Sequence, residues 1–379
     1  MNFSKLDNLI NSLPKCGIPA SDLAVTYRGE PVYRHSAGFS DLEGTRPVSP
    51  NDLYYVFSIS KITTCVLGMR LVEEGKIELD APVYRYLPAY RYLTVKGEHG
   101  VLSPAQNTMT VRHLFTMTGG LNYNLSAPPL LRLRQDPTAD TMAFVNAMAE
   151  SPLDFEPGTH YQYSLCHDVL AGVVEAVTGE RFADHAKRVV FDPLGMTRTG
   201  YHVPDELFPY MSQQYMFQHG VMRAEPIPLG NNYILNDRYD SGGAGLYSCV
   251  DDQIKLMTVL ANGGKTANGY SLLKPETIAL MQQNGLPDSA RPQFGTSRNY
   301  GYGWGLCGRV HVDPIVSHAR SSVGEFGWDG AMGAYALIDP NERIAMYFAM
   351  HVRGCQYAYH MVHPLLRDLA YEAIKGENT

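Results

Sequence analysis

Apolar residues recur along this chain with two alternating periods. In the opening stretch MNFSKLDNLINSLPKCG, Leu6, Leu9, Ile10 and Leu13 fall on one side of a helical projection, which predicts a short amphipathic helix. The segment LAVTY (23 to 27), the turn Arg28-Gly29-Glu30 and the following PVYRHSAGF predict a β-hairpin. Helical spacing returns from Ser58 to Glu74 through Ile62, Cys65, Val66, Met69 and Val72, and Gly75 supplies the stop. Between 85 and 290, loops rich in Pro and Asn alternate with helical segments at 138 to 149, 167 to 178 and 251 to 261. After Tyr300, GAYALI and RIAMYFAM flank Asp339-Pro340-Asn341-Glu342, a second hairpin, and a closing helix is expected from 357 to 375. Both chain ends therefore supply strands, and they are expected to share one sheet. The expected organisation is an α/β domain from 1–84 and 291–379 with a mostly helical domain, 85–290, inserted between them.

Composition narrows the function classes. Of 379 residues, 45% are hydrophobic and 18% charged, the balance of a folded globular protein rather than a disordered or collagen-like chain. Thirty-one Lys+Arg against thirty-eight Asp+Glu give a net charge of -7, which offers no basic field for a phosphate backbone, so nucleic acid is not an expected partner. The first residues lack the apolar run of a signal peptide and no window of eighteen apolar residues occurs, so no membrane span is expected and the expected compartment is cytoplasmic. Six scattered cysteines, Cys16, Cys65, Cys166, Cys249, Cys307 and Cys355, form no CxxC pair and read as packed thiols.

Several chemical signals fail on their context. Gly263-Gly264-Lys265-Thr266 resembles the end of a phosphate-binding loop, but Val259 stands where its first glycine belongs and a helix precedes it. His360 and His363 lack the carboxylate of a zinc signature and read as surface or packing residues. No GxSxG elbow is present. Ser-x-x-Lys occurs three times, at Ser12/Lys15, Ser58/Lys61 and Ser271/Lys274. Pro14 interrupts the first copy and Pro275 follows the third, which leaves Ser58 and Lys61. This pair follows the apolar run Tyr54-Tyr55-Val56-Phe57 and opens a helix with an apolar inner face. Burial lowers an amine from its ordinary pKa of about 10.4, and a neutral amine one turn from a serine can take its proton. The competing reading of Ser58 is a helix N-cap.

Six ordered segments decide the matter in favour of chemistry: FSISK (57 to 61), LVEEGKIELDAPVYRYLP (71 to 88), TVRHLFTMTGGL (110 to 121), PGTHYQYS (157 to 164), SGGAGLYS (241 to 248) and FGWDGAMG (326 to 333). Together they resemble the serine penicillin-recognising superfamily, which comprises class C β-lactamases, DD-peptidases and family VIII carboxylesterases. The resemblance implies a β-lactamase/DD-peptidase-like fold, an antiparallel sheet flanked by helices with an inserted all-α domain and the active site between the two. It implies Ser58 as nucleophile, Lys61 and the Tyr163 hydroxyl as the general base, and the backbone amides of Ser58 and Ala331 as the oxyanion hole. No metal or organic cofactor is called for.

Two departures from the resemblance select the substrate. Its second motif, Tyr-x-Asn, stands here as Tyr163-Ser164-Leu165, and its third, Lys-Thr-Gly, as Trp328-Asp329-Gly330. Leu165 cannot hydrogen-bond an amide side chain, and Trp328 removes the cation that would meet a β-lactam carboxylate, an interaction worth roughly 1.5 to 3 kcal/mol. Weak or absent β-lactamase activity is expected, and small carboxylic esters, the substrates of relatives carrying Trp-Gly-Gly, become the leading class. An acyltransferase using the same acyl-enzyme and an amidase or D-aminopeptidase are the alternatives; a silent binding protein would not need Ser58, Lys61 and Tyr163 together. Trp328, Asp329, Gly330, Leu165 and Tyr123 are the expected substrate-binding residues. The Asp329 carboxylate is expected at the entrance, turning anionic substrates away and favouring neutral or amine-bearing ones. His160, His167 and Trp304 read as packing residues.

Overall fold

A computed structural model describes residues 1–376. Helix α1 (Ser4–Ser12) leads into strands β1 (Ala20–Tyr27) and β2 (Glu30–Gly38), joined at Arg28 and Gly29, whose φ of 54° and 90° suit the tight twisted turn of a hairpin. Helix α2 (Ser60–Glu73) follows, and helices α3 (Thr141–Met148), α4 (Cys166–Thr178) and α5 (Val250–Ala261) belong to the central part of the chain. Strands β3 (Tyr302–Trp304), β4 (Arg309–His311), β5 (Phe326–Asp329), β6 (Tyr335–Asp339) and β7 (Ile344–Met350) precede the closing helix α6 (His363–Lys375).

The seven strands form one antiparallel sheet in the order β2-β1-β7-β6-β5-β4-β3, so the two ends of the chain meet where β1 pairs with β7, Leu23 opposite Phe348. Side chains alternate between its faces. Ile344, Met346, Phe348 and Met350 of β7 join Leu6 and Ile10 of α1 and Leu366, Ala370 and Tyr371 of α6 on one face. Ala345, Tyr347 and Ala349 face the other way, into the cluster that holds α2, α4 and α5. Because both faces are covered, β7 is apolar throughout, as its unbroken run IAMYFAM requires.

Segment 85–290 is not a helical body set apart: α5 lies against β1, β6 and β7, residues 247–248 pair with 54–55, and a hairpin of 214–218 and 223–227 pairs with 352–353. Periodicity marks the apolar stripe of α5 (Leu256, Met257, Leu260) but not the surface that covers it, and the small Ala345 and Ala349 on the sheet provide that surface. Among the described residues no helix is long and apolar enough to cross a membrane.

Helix α2 is buried nearly all round, and it comes close to its neighbours through Gly68. A Cβ there would stand 2.7 Å from the Phe115 ring and 3.5 Å from Leu170 of α4. Gly68→Leu is expected to lower stability by about 2 kcal/mol or more, since overpacking forces rotamers and backbone to shift; an unchanged urea midpoint would contradict this close approach.

Candidate active site

The nucleophile candidate sits at a forced bend. Phe57 has a φ of 49°, a left-handed conformation unusual for a residue with a side chain, and it turns the chain from the strand at Tyr54–Tyr55 into a short tight turn that leads to α2. The ring of Phe57 is held against Tyr55, Tyr233 and His351, with centroids 6.0 to 6.5 Å away. The chain is pinned on either side by the Val56 amide donating to Leu246 O at 3.0 Å and the Leu246 amide donating to Ser60 Oγ at 3.0 Å. Ser58 is not the N-cap of α2: Ile59 occupies that place, and no side-chain cap bond forms there. Its hydroxyl is left for other partners.

Lys61 is the side chain within hydrogen-bonding distance of it. Lys61 is fully buried, and its Nζ lies 3.3 Å from Ser58 Oγ, 3.2 Å from Tyr123 OH and 2.7 Å from the carbonyl oxygen of Gly243. The Tyr163 hydroxyl accepts from the Trp328 indole at 2.9 Å, and the amine lies 4.6 Å from the centre of the Tyr163 ring. Burial disfavours the ammonium and lowers Lys61 to about 8, although the negative charge of Asp168 pulls it upward. Burial pushes the Tyr163 phenol above its ordinary value, and the nearby Ser58 hydroxyl and the Trp328 indole N–H reverse this only in part. The amine is thus the group whose charge changes near neutral pH, while the phenol keeps its proton. A neutral amine has two N–H donors and one lone pair. Gly243 O and Tyr123 OH can take the two donors, which leaves the lone pair for the Ser58 hydroxyl.

Asp168 and Gly243 escaped the sequence reading. One carboxylate oxygen of the buried Asp168 accepts from Tyr239 OH at 2.7 Å, Ser241 Oγ at 2.7 Å and the Gly243 amide at 3.2 Å, so it holds the loop whose carbonyl receives Lys61. A Cβ on Gly243 would stand 2.4 Å from Asp168 Oδ2, which makes glycine necessary there. The signal available in sequence was an acid inside the otherwise apolar run of α4, next to Val169, Leu170 and Ala171.

Trp328, Gly330, Ala331 and Tyr123 line the cleft over Ser58, together with Tyr163, Tyr161, Tyr233, Phe294, Arg298 and Tyr359; its volume is about 530 Å³. Trp328 does more than line it, because its indole N–H donates to Tyr163 OH at 2.9 Å and orients the phenol. Leu165 is a correction. It lies outside this cleft, turned with Leu121, Leu130 and Met148 around a separate depression, as an apolar side chain at the mouth of a buried helix will do. His160 is exposed, while His167 and Trp304 donate to or contact the Phe115 carbonyl at 3.1 and 2.9 Å and serve packing.

Asp329 is the second correction. Its side chain is 3% exposed and does not stand free at the entrance. It pairs with Arg298, with Arg309 at 3.1 Å, and lies 3.7 Å from His363 Nδ1. Burial alone would raise this carboxyl, but the two guanidiniums outweigh it and hold it at about 2. Two arginines converging from residues 298 and 309 were invisible in sequence. Among the described residues no three His, Cys, Asp or Glu side chains gather as a metal site would require.

Comparisons with known proteins give the family of the chain. A sequence model of the Beta-lactamase family matches residues 6–355. Esterase EstB of Burkholderia gladioli is 32% identical over 343 residues, which cover 83% of this chain and 81% of EstB. The solved structure of EstCE1, a hydrolase with promiscuous acyltransferase activity, superposes with a TM-score of 0.80 at 26% identity, covering 97% of this chain and 98% of that one. Simvastatin synthase LovD from Aspergillus terreus gives a TM-score of 0.83 at 19% identity over 100% of both chains, a likeness of fold. The chain belongs to the Beta-lactamase family and is a serine hydrolase.

The Asp329 pairing generates a prediction. Asp329→Asn leaves the buried Arg309 with Glu325 alone, 3.6 Å away, and weakening a buried pair in this way costs about 3 kcal/mol, the lower end for a broken pair. A carboxyl depressed in the folded state stabilises above its unfolded value of about 3.9 and loses that contribution as pH falls through the folded value. The stability gap between wild type and Asp329→Asn, measured by urea unfolding, is therefore expected to be full at pH 7 and to narrow below about pH 4 towards pH 2. A gap independent of pH would contradict the pairing.

Proposed function

We propose that the protein hydrolyses small carboxylic esters through an acyl-enzyme on Ser58. The observation that carries this reading is the contact of Ser58 Oγ with a fully buried Lys61 amine, 3.3 Å away. Ser58 Oγ attacks the ester carbonyl while its proton passes to neutral Lys61, aided by the Tyr163 hydroxyl. The oxyanion is received by the backbone amides of Ser58 and Ala331, a type of contact worth a few kcal/mol in the transition state. Collapse of the tetrahedral intermediate breaks the bond to the alcohol oxygen, which takes the proton back through Tyr163. Water then repeats the sequence on the acyl-serine, releasing the acid and restoring the Ser58 hydroxyl.

Trp328 in place of a cation supports weak or absent β-lactamase activity, since no charge stands beside the reacting carbonyl to hold a β-lactam carboxylate. The amidase reading loses its support with Asp329, whose charge is taken up by two arginines. A second reading, transfer of the acyl group to an alcohol, uses the same intermediate; the open cleft favours it, and EstCE1 is described as having such activity. Added alcohols that divert product from acid to new ester would establish it.

Two outcomes are expected. Intact-protein mass after treatment with a fluorophosphonate shows one adduct, and p-nitrophenyl esters are turned over; Ser58→Ala loses both, whereas an adduct persisting in the variant would place the nucleophile elsewhere. The kcat/KM of wild type rises with pH along a limb near 8, where Lys61 becomes neutral. Asp168→Asn removes the charge that raises Lys61, so the limb moves to lower pH; a limb that stays or moves upward would exclude Lys61 as the base.

A further inference from the structure

The cleft wall carries two charged side chains, Arg298 and Asp329, and only Arg298 is appreciably exposed, 26% against 3%. Asp329 is shared: Arg309, buried behind it, takes Oδ1, and Arg298 meets Oδ2 through one arm of its guanidinium. Among the described residues Arg298 has no other carboxylate partner, so its remaining donors face the cleft incompletely neutralised. The guanidinium is also fixed in place by rings, with Cζ 5.7 Å from the Trp328 centroid and 4.7 Å from the Tyr359 centroid, and Tyr359 is itself tied by its hydroxyl to Gly330 O at 2.7 Å. Arginine held by one arm, with its plane set by aromatic faces, is an arrangement suited to a carboxylate. The cation lies over the Trp328 ring, whose N–H reaches Tyr163, and among the described residues it makes no contact with Ser58 or Lys61. It therefore suits an anion several bonds from the scissile carbonyl, not one placed next to it as in a β-lactam.

We propose that Arg298 is a specificity residue that binds a free carboxylate on the substrate, and that the preferred esters carry such a group remote from the scissile bond, in the acyl or the alcohol half. The rest of the cleft supplies aromatic walls from Tyr123, Tyr161, Tyr233 and Phe294, which fit the apolar spacer between the two groups. This rests on the ester-hydrolase reading and reverses the sign of selection that Asp329 suggested in the sequence.

The test compares kcat/KM on two matched pairs: p-nitrophenyl hemiadipate with p-nitrophenyl heptanoate, and 4-(carboxymethyl)phenyl acetate with 4-ethylphenyl acetate. Wild type is expected to favour the anionic member of at least one pair by roughly tenfold or more, mainly through KM, with the preference falling as salt is raised. In Arg298→Gln the loss on that anionic ester exceeds the loss on its neutral partner by about the same factor, and Arg298→Lys recovers part of the discrimination, which a merely structural role would not produce. Absence of preference in both pairs, or equal losses on both members in Arg298→Gln, overturns the proposal while leaving ester hydrolysis standing. If wild type turns over none of the four and takes up no fluorophosphonate, the ester reading falls and this inference with it.

Discussion

Lys61 lies without exposure in the interior, where its amine meets a carbonyl, a phenol and a hydroxyl but no adjacent carboxylate. An ammonium in that setting has lost its water and gained only neutral acceptors, so the neutral amine becomes accessible near physiological pH. Much of the surrounding structure serves this condition. α2 is covered on every side, Gly68 admits Phe115 against it, and Gly243 brings a carbonyl where any side chain would collide with Asp168. Asp168 supplies negative charge at one remove, through the loop it holds rather than by contact, which tempers the desolvation without pairing the amine outright.

The third motif shows how a neutral residue can take over part of a cation's place. Trp328 cannot attract a carboxylate, but its indole N–H donates to the Tyr163 oxygen and leaves the phenolic proton directed towards the reacting groups. The same ring, stacked among Trp304, Tyr163 and Phe294, makes the wall of the cleft apolar. Charge is displaced outward to Arg298, and the buried pairing of Asp329 with Arg309 anchors it.

Local signals in the sequence were sufficient for most of the elements. Apolar patterns marked both hairpins, α1, α2, α4, α5 and α6: α1, α5 and α6 bury one face, which the spacing of apolar residues records, while α2 and the second hairpin are covered on both sides and show as longer apolar runs between turn residues. The expectation for Ser58 and Lys61 came from a Ser-x-x-Lys spacing at the start of a helix, and that for Tyr163 from the resemblance of six ordered segments. What only the tertiary structure decided is which surfaces meet. The packing of α5 on the sheet, the turning of Leu165 into the interior, the hold of Asp168 on Gly243, and the capture of Asp329 by arginines 31 residues before it and 20 residues before it all join positions far apart in the chain. A carboxylate's charge is written in the sequence, but whether it faces substrate or a buried guanidinium depends on partners that no local pattern records.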